Sequence, residues 1–317
     1  MQREEIPIFF TIDDKYAPYL NVAIKSLTQN ASKEYNYKII ILHEGLNKEN
    51  TEKIQEYKNE KFDIEFIHMK DRLKTITDRE ENRFRYFTLT IYYRLFIPEM
   101  FPEYDKGIYI DSDIVVPGDI SELYNIELEN NLIGACQDHS VVDIEEFASY
   151  MEDTVGISRY EYVNSGVLLM NLKLLREKQF SKRFLELLNK YHFDNVAPDQ
   201  DYLNAMCNGK ILYLDAVWDA MPTPGRKEIS NPKLIHYNLF QKPWCYDNIQ
   251  YEDYFWKYAK KTSYYKELMD FKNNYSDMQK KADEDCLNTM LKKAKNMWKN
   301  EITFKKVIER GEKIRLW

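Results

Sequence analysis

The chain has 317 residues, of which 44% are hydrophobic and 31% charged, with a net charge of −7 and a pI of about 5.5. A chain of this size and apolar content buries a sizeable core as one large domain or two small ones, which excludes a largely disordered protein. Its acidity argues against a general nucleic-acid binder. The average hides a segregation of charge: from Cys286 onward nine Lys/Arg face three Glu, giving a tail of +6 against −13 on the remainder. Cys136, Cys207, Cys245 and Cys286 are widely spaced and form no C-x-x-C pair. A reduced compartment suits them better than a disulfide framework. The first residues lack the layout of a secretory signal, and no apolar run approaches the roughly 20 residues that span a bilayer. The expectation is a soluble, cytoplasmic protein.

In chain order, residues 6–12 (IPIFFTI) form an apolar run that ends at Asp13 and Asp14, as a buried parallel strand does. Leu20, Ala23, Ile24 and Leu27 then recur at helical spacing. Strand-like runs follow at 37–43 and 63–69, with a polar helix over 47–60 between them. A helical stretch over 88–97 leads into 107–116, GIYIDSDIVV. This alternation predicts a parallel, doubly wound α/β sheet. Further strands are expected at 131–136, 163–170, 211–215 and 233–237, and helices near 173–190 and 199–207. In such sheets ligands bind beyond the carboxyl ends of the strands. Polar residues that end distant apolar runs, Asp13 and the pair Asp111/Asp113, can therefore converge.

Asp111-Ser112-Asp113 offers two carboxylates, one residue apart, just past a strand; a hard divalent cation prefers such oxygen ligands. His236, in LIHYNLFQKPW, is a candidate further ligand, because neutral imidazole suits Mn²⁺ better than Mg²⁺. Packing alone is its competing explanation. Lys242 supplies a mobile point charge suited to phosphate, or is a solvated lysine. Asp199-Gln200-Asp201 follows Pro198 at a helix start, where acidic residues complement the helix dipole. The same carboxamide and carboxylate could instead stabilise positive charge at an anomeric carbon, or attack it. Asn164-Ser165-Gly166 interrupts an apolar run, and glycine there often marks close backbone approach. Arg94 is a lone charge among aromatic residues, and buried it needs a carboxylate or ligand partner.

Five segments, FTIDDKYAPYLNVAIKSL, TIYYRLFIPE, YIDSDIVV with GACQD, YVNSGVLLMNL with PDQDYLN, and HYNLFQKPW, stand in the order seen in one family. Over residues 6–246 the chain resembles glycosyltransferase family 8, the group of bacterial lipopolysaccharide galactosyl- and glucosyltransferases, with glycogenin more distant. The resemblance implies a GT-A fold, a single Rossmann-like mixed sheet flanked by helices, here with a helical C-terminal extension. It also implies a retaining hexosyltransferase, with UDP-glucose or UDP-galactose as donor, a saccharide, lipid-linked glycan or glycoprotein as acceptor, and Mn²⁺ (or Mg²⁺) as cofactor. By position, Asp111, Asp113 and His236 would bind the metal. Asp13 and Tyr16 would meet the nucleoside and Lys242 the diphosphate. Arg94, Ser112, Asp138, Asn164 and Ser165 would hold the donor, with Gln200 and Asp201 catalytic at the reacting carbon. Two positions depart from the family pattern: Lys15 stands where Asn is frequent, and Leu239 where some members have Gly. A phosphatase of the haloacid-dehalogenase type would read Asp111 as nucleophile and Asp113 as acid/base, although several strands precede the pair. A nucleotide-sugar-binding protein without activity is the non-enzyme alternative.

The expected division is a catalytic domain over 1–260 and a helical, basic extension over 261–317. In the extension Leu287, Met290, Leu291, Ala294, Met297 and Trp298 fall at helical spacing beside Lys292, Lys293, Lys295 and Lys299. A basic amphipathic stripe of this kind predicts docking on an anionic membrane surface, at its inner face, or packing against the rest of the protein.

Overall fold

The computed structural model describes residues 3–69 and 89–317. The apolar run at the start forms β1 (Glu5–Ile12), followed after a short turn by α1 (Ala17–Asn30). Then come β2 (Asn36–His43), α2 (Lys48–Gln55) and β3 (Phe62–His68). β1 pairs in parallel with β2, Glu5 opposite Asn36 through Ile12 opposite His43, and β2 pairs in parallel with β3. Alternate residues of β1 serve opposite faces, as the pleat requires. Ile6, Ile8, Phe10 and Ile12 pack with Leu20, Ala23, Ile24 and Leu27 of α1. Phe9 points the other way, into a cluster with Tyr92, Tyr93 and Phe96. A sheet covered on both faces explains why these strands read as continuous apolar runs.

The expected helix over 88–97 is a 3-10 segment, Leu89–Phe96, that tightens into the short α3 (Ile97–Met100), with Pro98 in its first turn; residue 88 lies outside the described residues. The run 107–116 divides into β4 (Gly107–Ile110) and β5 (Ile114–Val115). β4 stays in the main sheet beside β1. β5 leaves it, because a buried ladder cannot continue through two carboxylates without leaving them unsatisfied. After α4 (Ile120–Tyr124), β6 (Ile133–Ala135) and α5 (Glu145–Tyr150), β7 (Val167–Met170) inserts antiparallel between β4 and β6. The helical stretch near 173–190 is two helices, α6 (Leu172–Glu177) and α7 (Phe180–Tyr191), broken where Gln179 adopts φ of 55°. α8 (Pro198–Cys207) leads to β8 (Ile211–Tyr213), which pairs in parallel with β6. The main sheet has the order β3-β2-β1-β4-β7-β6-β8. Its first four strands are parallel, and β7 makes the whole sheet mixed. A second, two-stranded sheet joins β5 to β9 (Ile235–His236), with Ile114 opposite His236.

The C-terminal segment folds back over this body as α9 (Glu252–Ala259), α10 (Tyr265–Asn273), α11 (Asp277–Ala294) and α12 (Phe304–Glu309). A capping box between Ser276 and Gln279 starts α11, which then packs on α5. The apolar stripe faces inward. Ala294 and Met297 are buried, Leu287, Met290 and Leu291 lie half-buried against the main core, and Trp298 alone stays half exposed. Of the two expectations for the stripe, packing against the rest of the protein is the one seen: the apolar side chains are taken up by the main core. Some of the basic charge is met there as well, through Lys293 with Asp194 and Lys305 with Asp153. A tail of +6 on a body of −13 is thus drawn to the protein itself. The last residues complete the contact, Leu316 N–H donating to the Met206 carbonyl and Trp317 Nε1 to that of Asn208. Among the described residues no helix is long and apolar enough to cross a membrane. All four cysteines are free.

Candidate active site

The site grows from the break in the 107–116 run. Asp111 follows the last residue of β4, and its N–H donates to the Gly166 carbonyl at 2.8 Å. Because β7 runs antiparallel to β4, with Ile110 opposite Val167, the segment Asn164–Gly166 is laid beside Asp111. Because β5 pairs with β9, His236 comes beside Asp113, whose carbonyl accepts from Tyr237 N–H at 2.9 Å. Asp111, Asp113 and His236 each present a ligand atom, all within 4.8 Å of one another. His236 Nε2 lies 3.4 Å from Asp113 Oδ1 and 3.8 Å from Asp111 Oδ2.

These three side chains fit a divalent cation. His236 Nδ1 stands 3.1 Å from Oδ1 of the fully buried Asp219. Such a carboxylate fixes the tautomer that leaves Nε2 free as a ligand. The backbone leaves room only for glycine behind them: a Cβ on Gly166 would lie 2.3 Å from His236 Cε1 and 2.8 Å from Asp111 Oδ2. With protein groups alone, protons and Lys242 balance the charge. Burial disfavours the imidazolium of His236, yet Asp113 and Asp219 outweigh it and push its pKa up to about 10. Burial likewise lifts Asp219 to about 6 against the pull of His236. Asp113 is opposed by burial but held well below the usual carboxylate range by Lys242 and His236. Lys242 Nζ donates to Asp113 and to the Tyr237 carbonyl.

Arg94 lies beneath the carboxylates and is nearly buried. It pairs with Asp111 at 3.0 Å and Asp199 at 2.8 Å, donates to the Ser165 carbonyl at 2.7 Å, and stacks over Tyr109. Burial works against its cation, and the two carboxylates more than restore it. Tyr109 in turn donates to Asp111 Oδ1 at 2.6 Å. A polar floor adjoins this cluster. Gln200, in the first turn of α8, accepts from Ser165 N–H at 2.9 Å and donates to Asp138 Oδ2 at 3.0 Å. Asn164 donates to the same Asp138 oxygen at 3.1 Å, and Ser165 Oγ donates to Asp199 at 3.1 Å. A cavity of about 200 Å³ opens over this floor, lined on its polar side by Asp111, Asp113, Asp138, Asn164, Ser165, Gln200 and His236.

The remaining expected residues lie elsewhere. Asp13 caps the turn after β1, accepting from Tyr16 N–H at 3.1 Å. Tyr16 sits outside the cavity wall on an aromatic shelf with Tyr19, which stacks on Trp244 at 4.2 Å. Burial raises the Tyr16 hydroxyl pKa, as do the nearby charges of Asp113 and Asp111, which places it at the carboxylate end of the site. Ser112 is buried between the two carboxylates and does not line the cavity. Asp201, expected nearest the reacting carbon, does not line the cavity. It is fully buried, its Oδ1 accepts from Tyr162 and its Oδ2 from Tyr150, both at 2.5 Å, and Ala197 N–H adds a third bond. It is the two tyrosines that line the cavity. Burial lifts the Asp201 pKa to about 7 despite these bonds.

Sequence reasoning missed Asp219 as the partner of His236 and both tyrosines that bond Asp201. It also missed Asn204, which accepts from Val163 N–H and donates to Val163 O, both at 2.8 Å. Asp219 carried no signal, being one acidic residue in an irregular stretch. Tyr162 could have been suspected, two residues ahead of Asn164.

Comparison with known proteins agrees with this geometry. The model of glycosyl transferase family 8 matches residues 7–248. A putative glycosyltransferase of Haemophilus influenzae is 32% identical over 222 residues, 68% of this chain and 63% of the relative. A lipopolysaccharide 1,2-glucosyltransferase of Escherichia coli K12 is 27% identical over 59% of this chain and 61% of its own length. The chain thus spans under two thirds of both relatives. Among solved structures, the galactosyltransferase LgtC with donor and acceptor sugar analogues superposes with a TM-score of 0.66. It is 26% identical, with 81% of this chain and 96% of that one covered. The bifunctional glycosyltransferase WbbM shares the fold, with a TM-score of 0.74 at 23% identity, over 86% of this chain and 52% of that one. The mixed sheet with its flanking helices is the GT-A fold, and an Asp-Ser-Asp at the end of its fourth strand is no phosphatase nucleophile. The chain belongs to glycosyltransferase family 8.

Proposed function

We propose that this enzyme is a metal-dependent, retaining hexosyltransferase that moves glucose or galactose from a UDP-sugar to a saccharide, lipid-linked glycan or glycoprotein acceptor. Residues 1–260 are its catalytic domain and 261–317 an added extension. The observation that carries the reading is the convergence of Asp111, Asp113 and His236 with Lys242, beside the floor of Asp138, Asn164, Ser165 and Gln200. A Mn²⁺ ion held by the three ligands, or Mg²⁺ in its place, would supply charge neutralisation for the departing diphosphate. Lys242 exchanges its bond with Asp113 for the diphosphate, adding a second positive charge at the leaving group. Arg94, fixed by Asp111 and Asp199, holds the carboxylates and Ser165 in place. Asp13 and Tyr16 form the nucleoside end.

At the sugar, the floor supplies hydrogen-bond partners for hydroxyl groups, and the Gln200 amide oxygen stands ready to stabilise an oxocarbenium-like centre. Asp201 acts at one remove, as a positioning residue that clamps Tyr150 and Tyr162. The lipopolysaccharide glucosyltransferase and LgtC relatives support the donor class, and family membership supports retention. The test is UDP-sugar hydrolysis without acceptor, measured with Mn²⁺, with Mg²⁺ and in EDTA, for the wild type and Asp113→Asn. Activity in Mn²⁺ that is lost in EDTA and in the variant is expected; full activity of Asp113→Asn in EDTA would overturn the assignment. Proton NMR of the first-formed product should show the donor's α configuration.

A further inference from the structure

Past the polar floor, the same cavity turns apolar. Its depth is walled by Val141, Phe147, Tyr150, Met151 and Tyr162, all buried. Toward solvent its apolar lining is the half-buried Val196, Ala197 and Met290 of α11, and the exposed Leu239 of the segment that carries Lys242. The two tyrosine hydroxyls offer this space little, because each already donates to Asp201, and Tyr150 also accepts from Val196 N–H at 3.0 Å. Apolar walls thus adjoin a floor whose polar groups suit sugar hydroxyls.

Leu239 gives an independent reason to look at this rim. Its backbone φ is 50°, a left-handed conformation that is unfavourable for a side-chain-bearing residue. Glycine would adopt it freely. The backbone holds this side chain where it lines the cavity. Opposite the buried wall, Met290 comes from the C-terminal segment, beyond the 7–248 stretch that the family model matches. Asp283, on the same helix, accepts from Tyr246 at 2.7 Å, so α11 is pinned to the loop after Lys242 as well as to α5.

We propose that Leu239 and Met290 form an apolar rim that grips the acceptor, a saccharide presenting the C–H face of its ring or an apolar substituent. The C-terminal extension is thereby part of the acceptor subsite. This rests on the reading of the cavity floor as the donor-sugar site. A pyranose face packs on aliphatic and thioether groups by burying apolar surface, and losing one such contact changes selectivity by about tenfold or more.

The experiment measures transfer to methyl and nitrophenyl hexosides alongside acceptor-free hydrolysis of the UDP-sugar, for the wild type, Met290→Ala, Met290→Lys and Leu239→Gly. Met290→Leu serves as the volume-conserving control. The wild type should prefer the nitrophenyl acceptors. In Met290→Lys and Leu239→Gly the ratio of transfer to hydrolysis should fall about tenfold, with the acceptor KM rising, and Met290→Leu should restore both. A ratio equal to the wild type's in all variants overturns the inference, whether hydrolysis falls in parallel or neither rate changes. A wild type that hydrolyses no UDP-sugar overturns the donor reading and the inference with it. Hydrolysis with an invariant ratio removes the inference alone.

Discussion

Replacing Gly166 by alanine tests the ligand cradle most directly. The new Cβ would lie 2.3 Å from His236 Cε1, 2.9 Å from His236 Nδ1 and 2.8 Å from Asp111 Oδ2. Carbon atoms in contact sit about 3.5 Å apart or more, so the ring must retreat by roughly 1.2 Å. It has nowhere to go cheaply. His236 is buried, held at 3.1 Å by Asp219, and its backbone is paired opposite Ile114. If the ring moves by that much, the 3.1 Å contact with Asp219 cannot keep its geometry. If the backbone moves instead, the 2.8 Å bond from Asp111 N–H to Gly166 O is lost. Overpacking of this kind costs about 1–3 kcal/mol, more than the few tenths to 1 kcal/mol that alanine returns through the unfolded chain. Displacing a ligand and its supporting carboxylate costs about 10–100-fold in metal affinity. Urea denaturation without metal measures the first term. Thermal stabilisation as a function of Mn²⁺ concentration measures the second. A variant that matches the wild-type midpoint for Mn²⁺ would refute the cradle, whatever its stability.

Asp201→Asn should flatten the pH dependence of stability. Burial holds this carboxyl at about 7, against 3.8 for a free one. The folded state keeps a proton that the unfolded state releases, so the contribution is full below pH 3.8 and is lost as pH rises through 7. Three pKa units correspond to about 4 kcal/mol, and urea midpoints of the variant that track the wild type across this range would contradict the buried position. Gln200→Ala should lower turnover more than it weakens UDP binding, whereas Lys242→Ala should weaken both, by the difference between transition-state and ground-state contacts; equal losses of UDP affinity by calorimetry would end that division. Removing residues 314–317 exposes the positions packed by Ile314 and Leu316, 1% and 8% exposed. It should cost about 3–5 kcal/mol, while unchanged denaturation would mean that the tail is loosely held.

The sequence alone determined the strand–helix alternation of the first half and the positions of its ligand-bearing strand ends; the parallel pairing expected of the sheet holds for β3-β2-β1-β4 and ends at β7. Continuous apolar runs such as 6–12 can bury both faces only as central strands, and a carboxylate pair cannot continue a buried ladder, so Asp111 and Asp113 had to lie at an edge of the core. Arg94 needed a carboxylate partner, and that too was legible, although which one was not. Only the tertiary structure decided the rest. The antiparallel insertion of β7 brings Asn164 and Ser165 to Asp111, and the small β5–β9 sheet brings His236 to Asp113. Both pairings join residues far apart in the chain, and local periodicity holds no information about them. The same limit hid Asp219, and it made Asp201 look like a reacting group when two tyrosines from other elements enclose it. The apolar stripe on α11 was visible from its spacing, but a stripe has no address. Its burial against α5 was decided by what lay within reach once the chain had folded.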